Sequence, residues 1–597
     1  MNTKFTRWIW GLAVLVTVPN GVLAQSMPVG TPFWEEALRR GQLLGHLDSN
    51  VSMMIRPVDP SAAFGMPLGW GYDSLWCPGP MLRSVRPQWD WRSDNYGNNR
   101  YQIHGWRGFV ESFREFRVQV LPVLIQARYN EHHPYGWSDG PMVPSKGMQT
   151  YASAGAFVKA GPLEVQYRPE WVVARNEDFL NPLLRERSID NPERMGTKPY
   201  RELHAGQSYV KLRLGPISTG WSSENIWWGP GVRNSILMSN NAPGISHFTL
   251  HTNRPLRTPL GTFEGQMIAG NLRHSGYWPY GINSVSNPND STALPATPDL
   301  KWDTLRGTGT HSFINAMQLV WQPRGLSGLF LGINRGVQVK GYPANLGEYL
   351  RIIYVDPLGS STSNSERNEL NRNQIVTINM RYLFRRSHAE IYAEWARDDH
   401  WYDWEDFLTR PLATSAWLGG FRKIYSMPNY GWLQVWGEAT VIQAPMNNFM
   451  QPSVSVVSFY QHENRVGWTH RGQVLGAGIG PGSNMTTLGV EYGRRTTGVG
   501  LHWERVVYNE DLFYTRGPSL GFPNPWFRDI SKHFVDWGWQ LNFFHNFGRT
   551  MMTGRYNLLR TYNFQYRYDP DGVQGAFRFP GINVWSHNLD MALIYRF

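Results

Sequence analysis

The last eleven residues, HNLDMALIYRF, place an apolar side chain at every second position: Leu589, Met591, Leu593 and Tyr595. Asn588, Asp590 and Arg596 lie between them, the period of a β-strand with one oily and one mostly polar face. The same alternation recurs upstream. Val376, Ile378, Met380, Tyr382 and Phe384 alternate with Thr377, Asn379 and Arg381. Leu433, Val435, Gly437, Ala439 and Val441 stand against Gln434, Trp436, Glu438 and Thr440. Strand patterning starts near Arg117 to Tyr129, is clear from Leu163 to Arg168, and becomes regular after Ser208. In a soluble sandwich the polar face meets solvent; in a barrel it lines the lumen.

The connections separate these two architectures. Brief turns are expected at Gly215-Pro216, Pro323 to Gly325, Arg385 to Ser387, Met427 to Gly431, Arg494 to Thr497 and Asn546 to Gly548. Between them run long segments: Ser222 to Ser246, Leu272 to Thr310, Gly341 to Asn373, Arg397 to Thr414 and Tyr508 to Val535. Short turns at one end and long loops at the other are what an outer-membrane barrel requires, whereas a sandwich has no reason to keep that parity. Strands of about ten residues give a count of roughly eighteen to twenty.

The amino terminus supports export. Lys4 and Arg7 precede an apolar run from Trp8 to Val18, followed by Pro19, Gly21 and a small-residue site at Val22-Leu23-Ala24, the pattern of a signal peptide over residues 1–24. No later segment is a long apolar run, and mean hydropathy is −0.43. Membrane insertion therefore has to be by a closed barrel, the other structure that satisfies every backbone group in lipid. The single cysteine, Cys77, excludes internal disulfides and thiolate clusters. Of 57 basic residues nine are Lys and 48 are Arg, with a net charge of +11. That bias suits lumen ion pairs, lipopolysaccharide phosphates or an acidic glycan, and with an export signal it disfavours nucleic acid. Trp, Tyr and Phe number 28 each, enough for interfacial girdles and for stacking on sugars.

From Thr31 to Asp48 the period changes to 3.6. Phe33, Trp34, Ala37, Leu38, Gly41, Leu44 and Leu47 share one face, opposed by Glu35, Glu36, Arg39, Arg40 and His46. With Thr31 as N-cap and Pro32 at the first turn, this is an amphipathic helix that needs a partner surface. Asp48 to about Arg114 has no regular pattern, and Asn176 to Arg187 is a second helical candidate interrupted by Pro182. The division expected is a helical or irregular plug region at 25–115 and a barrel at 116–597.

Between inferred periplasmic turns, WSSENIWWGPGVRNSILMSNNAPG (Trp221 to Gly244) falls on the outer side or folds into the lumen. Glu224, Asn225, Trp227, Trp228, Arg233, Asn240 and Asn241 are the candidate glycan-binding residues: indoles stack on sugar rings, while amides and guanidinium satisfy hydroxyls and carboxylates. The competing reading pairs Glu224 and Arg233 internally and packs the Trp pair beneath the loop. ENIWWGPG, the run SILMSNNAPG, a strand at His247 to Thr252, Arg254-Pro255 and a strand opening Gly261-Thr262-Phe263-Glu264 together resemble the Wzi family of capsule-assembly proteins. The resemblance implies an eighteen-stranded outer-membrane barrel, a periplasmic helical plug and a lectin-like role in holding capsular polysaccharide, without catalysis.

Other constellations compete with bland alternatives. DDHWYDWEDF, beginning at Asp398, offers oxygen ligands for a divalent cation or simply a solvated acidic loop. Glu390 and Glu394 face the lumen as an acid/base pair or as salt-bridge partners of arginine. His502-Trp503-Glu504 lacks zinc-protease spacing, and no nucleophile elbow or phosphate loop is present. The expectation is an all-β transmembrane outer-membrane β-barrel with no enzyme activity, cofactor or metal. Its partners are capsule or exopolysaccharide, outer-membrane lipid and lipopolysaccharide, with no nucleic acid, and the protein is a monomer. The rival is a porin or polysaccharide-export channel.

Overall fold

The computed structural model describes residues 28–30, 34–59, 116–180, 189–277, 311–341, 352, 373–398, 408–409, 412–429, 431–445, 458–461, 467–494, 496–516, 532–566 and 581–595. The signal segment, Cys77, Thr31 to Phe33 and most of DDHWYDWEDF lie outside them.

Antiparallel strands close into a barrel of eighteen spans, the first (Phe116–Asn130) pairing with the last (Val584–Tyr595) from Val123↔Tyr595 to Asn130↔Asn588. Three spans are interrupted: Leu163–Tyr167 continues as Glu170–Ala174, Tyr200–His204 as Tyr209–Leu214, and Ser246–Thr252 as Leu256–Thr258. The first span slips register between Leu121 and Leu124, where Pro122 has no N–H to give the ladder. Every brief turn expected from the sequence joins neighbouring spans at one mouth, and both ends of the barrel meet there, so this mouth is periplasmic. The long connections all leave the opposite mouth.

The alternation has the orientation a membrane demands. Leu589, Met591, Leu593 and Tyr595 are 37–43% exposed, whereas Asn588 and Asp590 are nearly inaccessible. Gln434, Trp436, Glu438 and Thr440 likewise turn inward, as do Thr377, Asn379 and Arg381. Two further lumen-facing positions of the last span, Ala592 and Ile594, are apolar because the plug packs on them.

The plug helix, α1, spans Trp34–Leu43 within the expected Thr31 to Asp48. Glu35 and Glu36 in the first turn and Arg40 in the last complement the helix dipole. Gly45, at φ +76°, ends it: Gly45 N–H donates to Gln42 O and His46 N–H to Gly41 O, a Schellman closure that favours a residue without Cβ. Trp34, Ala37 and Leu38 pack with Val51, Tyr151 and Ile594, and Leu43 packs with Phe330 and Trp432. The opposing face is not left to water, as amphipathicity alone would have it. Arg39 meets Glu390 at 2.8 Å, Glu36 meets Arg422 at 2.9 Å, and Arg40 lies 3.7 Å from Glu491 and 4.4 Å over the Trp432 ring. The barrel wall near the periplasmic mouth carries the matching charges, so both faces are covered.

The second helical candidate does not begin as expected. Asn176 sits in the left-handed region (φ 53°), and its amide donates to the carbonyls of Met195, Gly196 and Lys198, a tie that replaces a first helical turn. Residues 181–188 lie outside the described residues. A seven-residue helix, α2 (Glu510–Arg516), was not foreseen; the expected long connection from Tyr508 contains it.

Candidate functional site

After the span Ile217–Ser222 the chain turns into the lumen and remains there to Ile245. Trp227–Trp228 pairs antiparallel with Ile55–Arg56 of the plug, Ile55 opposite Trp228 and Arg56 opposite Trp227. The Arg56 guanidinium lies 4.4 Å over the Trp227 ring, and the Trp228 indole N–H donates to Gln266 Oε1 at 2.9 Å. The Gly229-Pro230-Gly231 turn presents its carbonyls to the plug: Arg39 donates to Pro230 O (2.8 Å) and Arg56 to Gly231 O (3.0 Å). Burial, only partly offset by Glu35, lowers the Arg56 pKa to about 10, which still leaves it charged at neutral pH.

The next turn is held by a wall carboxylate. Glu438 accepts the backbone N–H groups of Val232, Arg233 and Asn234 at 2.6, 3.0 and 2.9 Å, and the Tyr392 hydroxyl at 3.0 Å. Ile236 N–H reaches Glu394 at 3.3 Å. Ile236, Leu237 and Met238 then form an apolar core inside the barrel with Tyr460 and Trp468, whose donors cap the Ile236 and Leu237 carbonyls.

The seven candidate residues are thus brought together, but as lumen structure. Trp227 and Trp228 are 3% and 0% exposed, which removes their faces from direct stacking on a sugar; packing against the plug is the cause. Glu224 pairs with Lys211 rather than with Arg233, and Arg233 reaches Glu504. Asn225 donates to Asn240 Oδ1 (2.6 Å) and to Ala242 O (2.9 Å). Asn240 and Asn241 hold the first outer loop: Asn240 donates to Ser138 O (3.1 Å), Asn241 accepts from Ser138 N–H (3.0 Å), and Gly140 N–H donates to Asn240 O (2.6 Å).

That loop, residues 131–146, carries side chains the sequence reading passed over. Tyr135 and Trp137 meet edge to face with centroids 5.1 Å apart, and Arg233 stands 5.8 Å from the Trp137 ring. Tyr135 donates to Glu504; burial, then the Glu504 charge, raises its pKa well above the ordinary value, so the phenol stays protonated. Gly136 (φ +125°) holds a backbone conformation that L side chains rarely adopt, and a Cβ there, 2.3 Å from Arg128 Nη1, would push the guanidinium aside. Asp139 lies 2.7 Å from Arg128 and 3.4 Å from Arg555. The signal that could have found this cluster was Trp137-Ser138-Asp139-Gly140-Pro141, an aromatic and acidic turn in the first long connection.

Glu390 and Glu394 do not form an acid/base pair. Glu390 is occupied by Arg39, Arg381 and Arg422, at 2.8, 2.6 and 3.5 Å, and Glu394 supports Ile236. Among the described residues no group of three or more His, Cys, Asp or Glu side chains could hold a metal ion.

The sequence model of the family described as capsule assembly protein Wzi matches residues 145–510. The structure is similar to Wzi of Escherichia coli, described as an outer-membrane protein involved in group 1 capsule assembly and a carbohydrate-binding β-barrel. Identity is 11%, the match covers 96% of this chain and all of that one, and the TM-score is 0.56. OccK7 (OpdD) of Pseudomonas aeruginosa matches over 80% of this chain and 99% of its own, with 7% identity and a TM-score of 0.34, too remote to carry an argument. No curated protein sequence matches the chain.

Proposed function

The chain belongs to the capsule assembly protein Wzi family, and from that premise we propose that it is a lectin-like outer-membrane barrel that binds and anchors surface polysaccharide during capsule assembly. The observation that carries this reading is the filled lumen. Helix α1 enters from the periplasmic mouth, the chain from Ser223 to Ile245 crosses the interior, and Tyr460 and Trp468 pack on it from the outer loops. The cavities beside them measure roughly 60, 20 and 10 Å³, room for a few waters in the first and about one in each of the others. None of these cavities is wide enough to pass a polymer strand, and in this reading the polymer meets the protein at the outer loops instead. The carbohydrate-binding description of the Escherichia coli relative supports the same reading.

The seven lumen residues act at one remove, as the support on which outer-loop side chains are fixed. Weak contacts repeated along a polymer add through effective concentration, so anchoring needs no single tight site. The test is a pull-down of purified, heat-modifiable barrel with the surface polymer of its own cell. Retention of the polymer is the expected result; a correctly folded barrel that retains none overturns the reading.

A further inference from the structure

Three neighbouring spans align Arg128, Asp590 and Arg555 in one row across the ladder. Arg128 grips Asp590 through Nε and Nη2 at 2.9 and 2.7 Å, and Arg555 Nη2 stands 3.6 Å from the same oxygen. The wall thus supplies two cations and one anion. The second anion, Asp139, comes from the outer loop and touches both arginines. Beside it lies a cavity of about 20 Å³, lined by Trp137, Tyr135 and a second row of side chains, Gln540, Asn557 and Asn588, paired by register across adjacent spans. Among the described residues Asn588 Nδ2 and Asn557 Oδ1 find no hydrogen-bond partner, although the residues are only 2% and 5% exposed. The guanidinium pair and the indole at the cavity offer what the carboxylate and the ring face of a uronic acid require, and the unsatisfied amide donor and acceptor behind them mark polar capacity that the wall leaves unused.

We propose that this cluster is a subsite for a uronate residue of the anchored polymer, and that the Asp139 carboxylate occupies the place of the sugar's carboxylate until polymer arrives. This rests on the polysaccharide-binding reading above. The cavity admits a carboxylate and its carbon, not a pyranose ring, so the ring lies outward against Trp137. Only the Asp139 side chain has to swing aside; Ser138 and Gly140 stay tied to Asn240 and Asn241. One carboxylate replaces another, so the charge balance around Arg128 and Arg555 is kept. A neutral hexose offers no anion for the arginines that Asp139 would vacate, and Asp139 holds its place against it.

The test is calorimetric titration of the purified barrel with tetragalacturonate and, separately, maltotetraose, for the parent, Asp139→Asn and Arg555→Gln. Both variants keep the Arg128–Asp590 grip, and heat-modifiability confirms that each is folded. Without its competitor, D139N should bind tetragalacturonate about tenfold more tightly, and R555Q about tenfold more weakly, the scale of one charge-assisted contact. Maltotetraose should respond to neither. Equal tetragalacturonate binding by all three proteins, binding no stronger than that of maltotetraose, or none at all would overturn the subsite. In each case the polysaccharide-binding reading survives if the parent still retains its own surface polymer, whereas loss of that retention in the parent ends both.

Discussion

Glu36 shows what a single plug side chain contributes. Burial raises the pKa of its carboxyl, but Arg422 and then Arg40 outweigh it, so the net value falls below the usual 4.5. A carboxyl depressed in the folded state stabilises fully above its unfolded pKa, and the contribution is lost as pH falls through the folded value. The stability difference between the parent and Glu36→Gln should therefore be full at pH 7 and shrink below about pH 4.5. Thermal melts of both proteins across that window check it. The effect should stay modest, because 30% of the Glu36 side chain remains accessible. Glu36 was legible as a helix-face charge; that Arg422, 386 positions away, would meet it was not.

At the scale of elements, the plug is seated by an ion cluster rather than by its apolar stripe alone. Glu390 faces three arginines, one from α1 and two from the wall. Replacing it by Gln leaves the buried guanidinium groups of Arg39 and Arg381 without their anion, while Arg422 keeps Glu36, a loss on the order of 3 kcal/mol or more. Glu390→Gln should accordingly lower the urea midpoint and expose α1 to protease at concentrations where the parent resists, measured by cleavage between residues 34 and 43. An unchanged cleavage profile would mean that the apolar contacts with Trp34 and Leu38 suffice. The segment from Trp227 to Gly231 depends on the same seat, since it pairs with the chain that follows α1.

At the scale of the whole molecule, the described residues of the plug and of 223–245 pack inside the eighteen-span barrel. In planar bilayers the parent should show near-zero conductance. Deleting residues 34–59, which removes α1 and the strand paired to Trp227–Trp228, should raise the conductance above the parent's, while the segment held by Glu438 and Glu394 still obstructs part of the lumen. Large steady conductance in the parent would instead favour the channel rival. A bound ligand that meets only the outer loops should leave the parent's conductance unchanged. In the proposed reading the lumen is a support: the strand after α1 pairs with Trp227–Trp228, and the same inward segment ties down the outer loop at Trp137 through Asn240 and Asn241.

Several properties were determined by the sequence alone. Period-two patterning set which side chains face lipid, as Leu589 to Tyr595 show, because lipid and lumen select opposite polarity at adjacent positions. Turn chemistry at Gly215-Pro216, Asn546 to Gly548 and their counterparts set the barrel's parity, since a two- to five-residue connection joins only neighbouring antiparallel strands. Helix α1 was legible for the same local reason. The tertiary structure alone decided the fate of ENIWWGPG. Nothing local distinguishes a Trp pair displayed on a loop from one folded inward, and the choice was made by Ile55, Arg56, Gln266 and Glu438, residues distant in sequence. The Arg128–Asp139–Arg555 cluster was hidden for the same reason: its members lie on two strands and a loop, and only closure of the first span against the last brings them together.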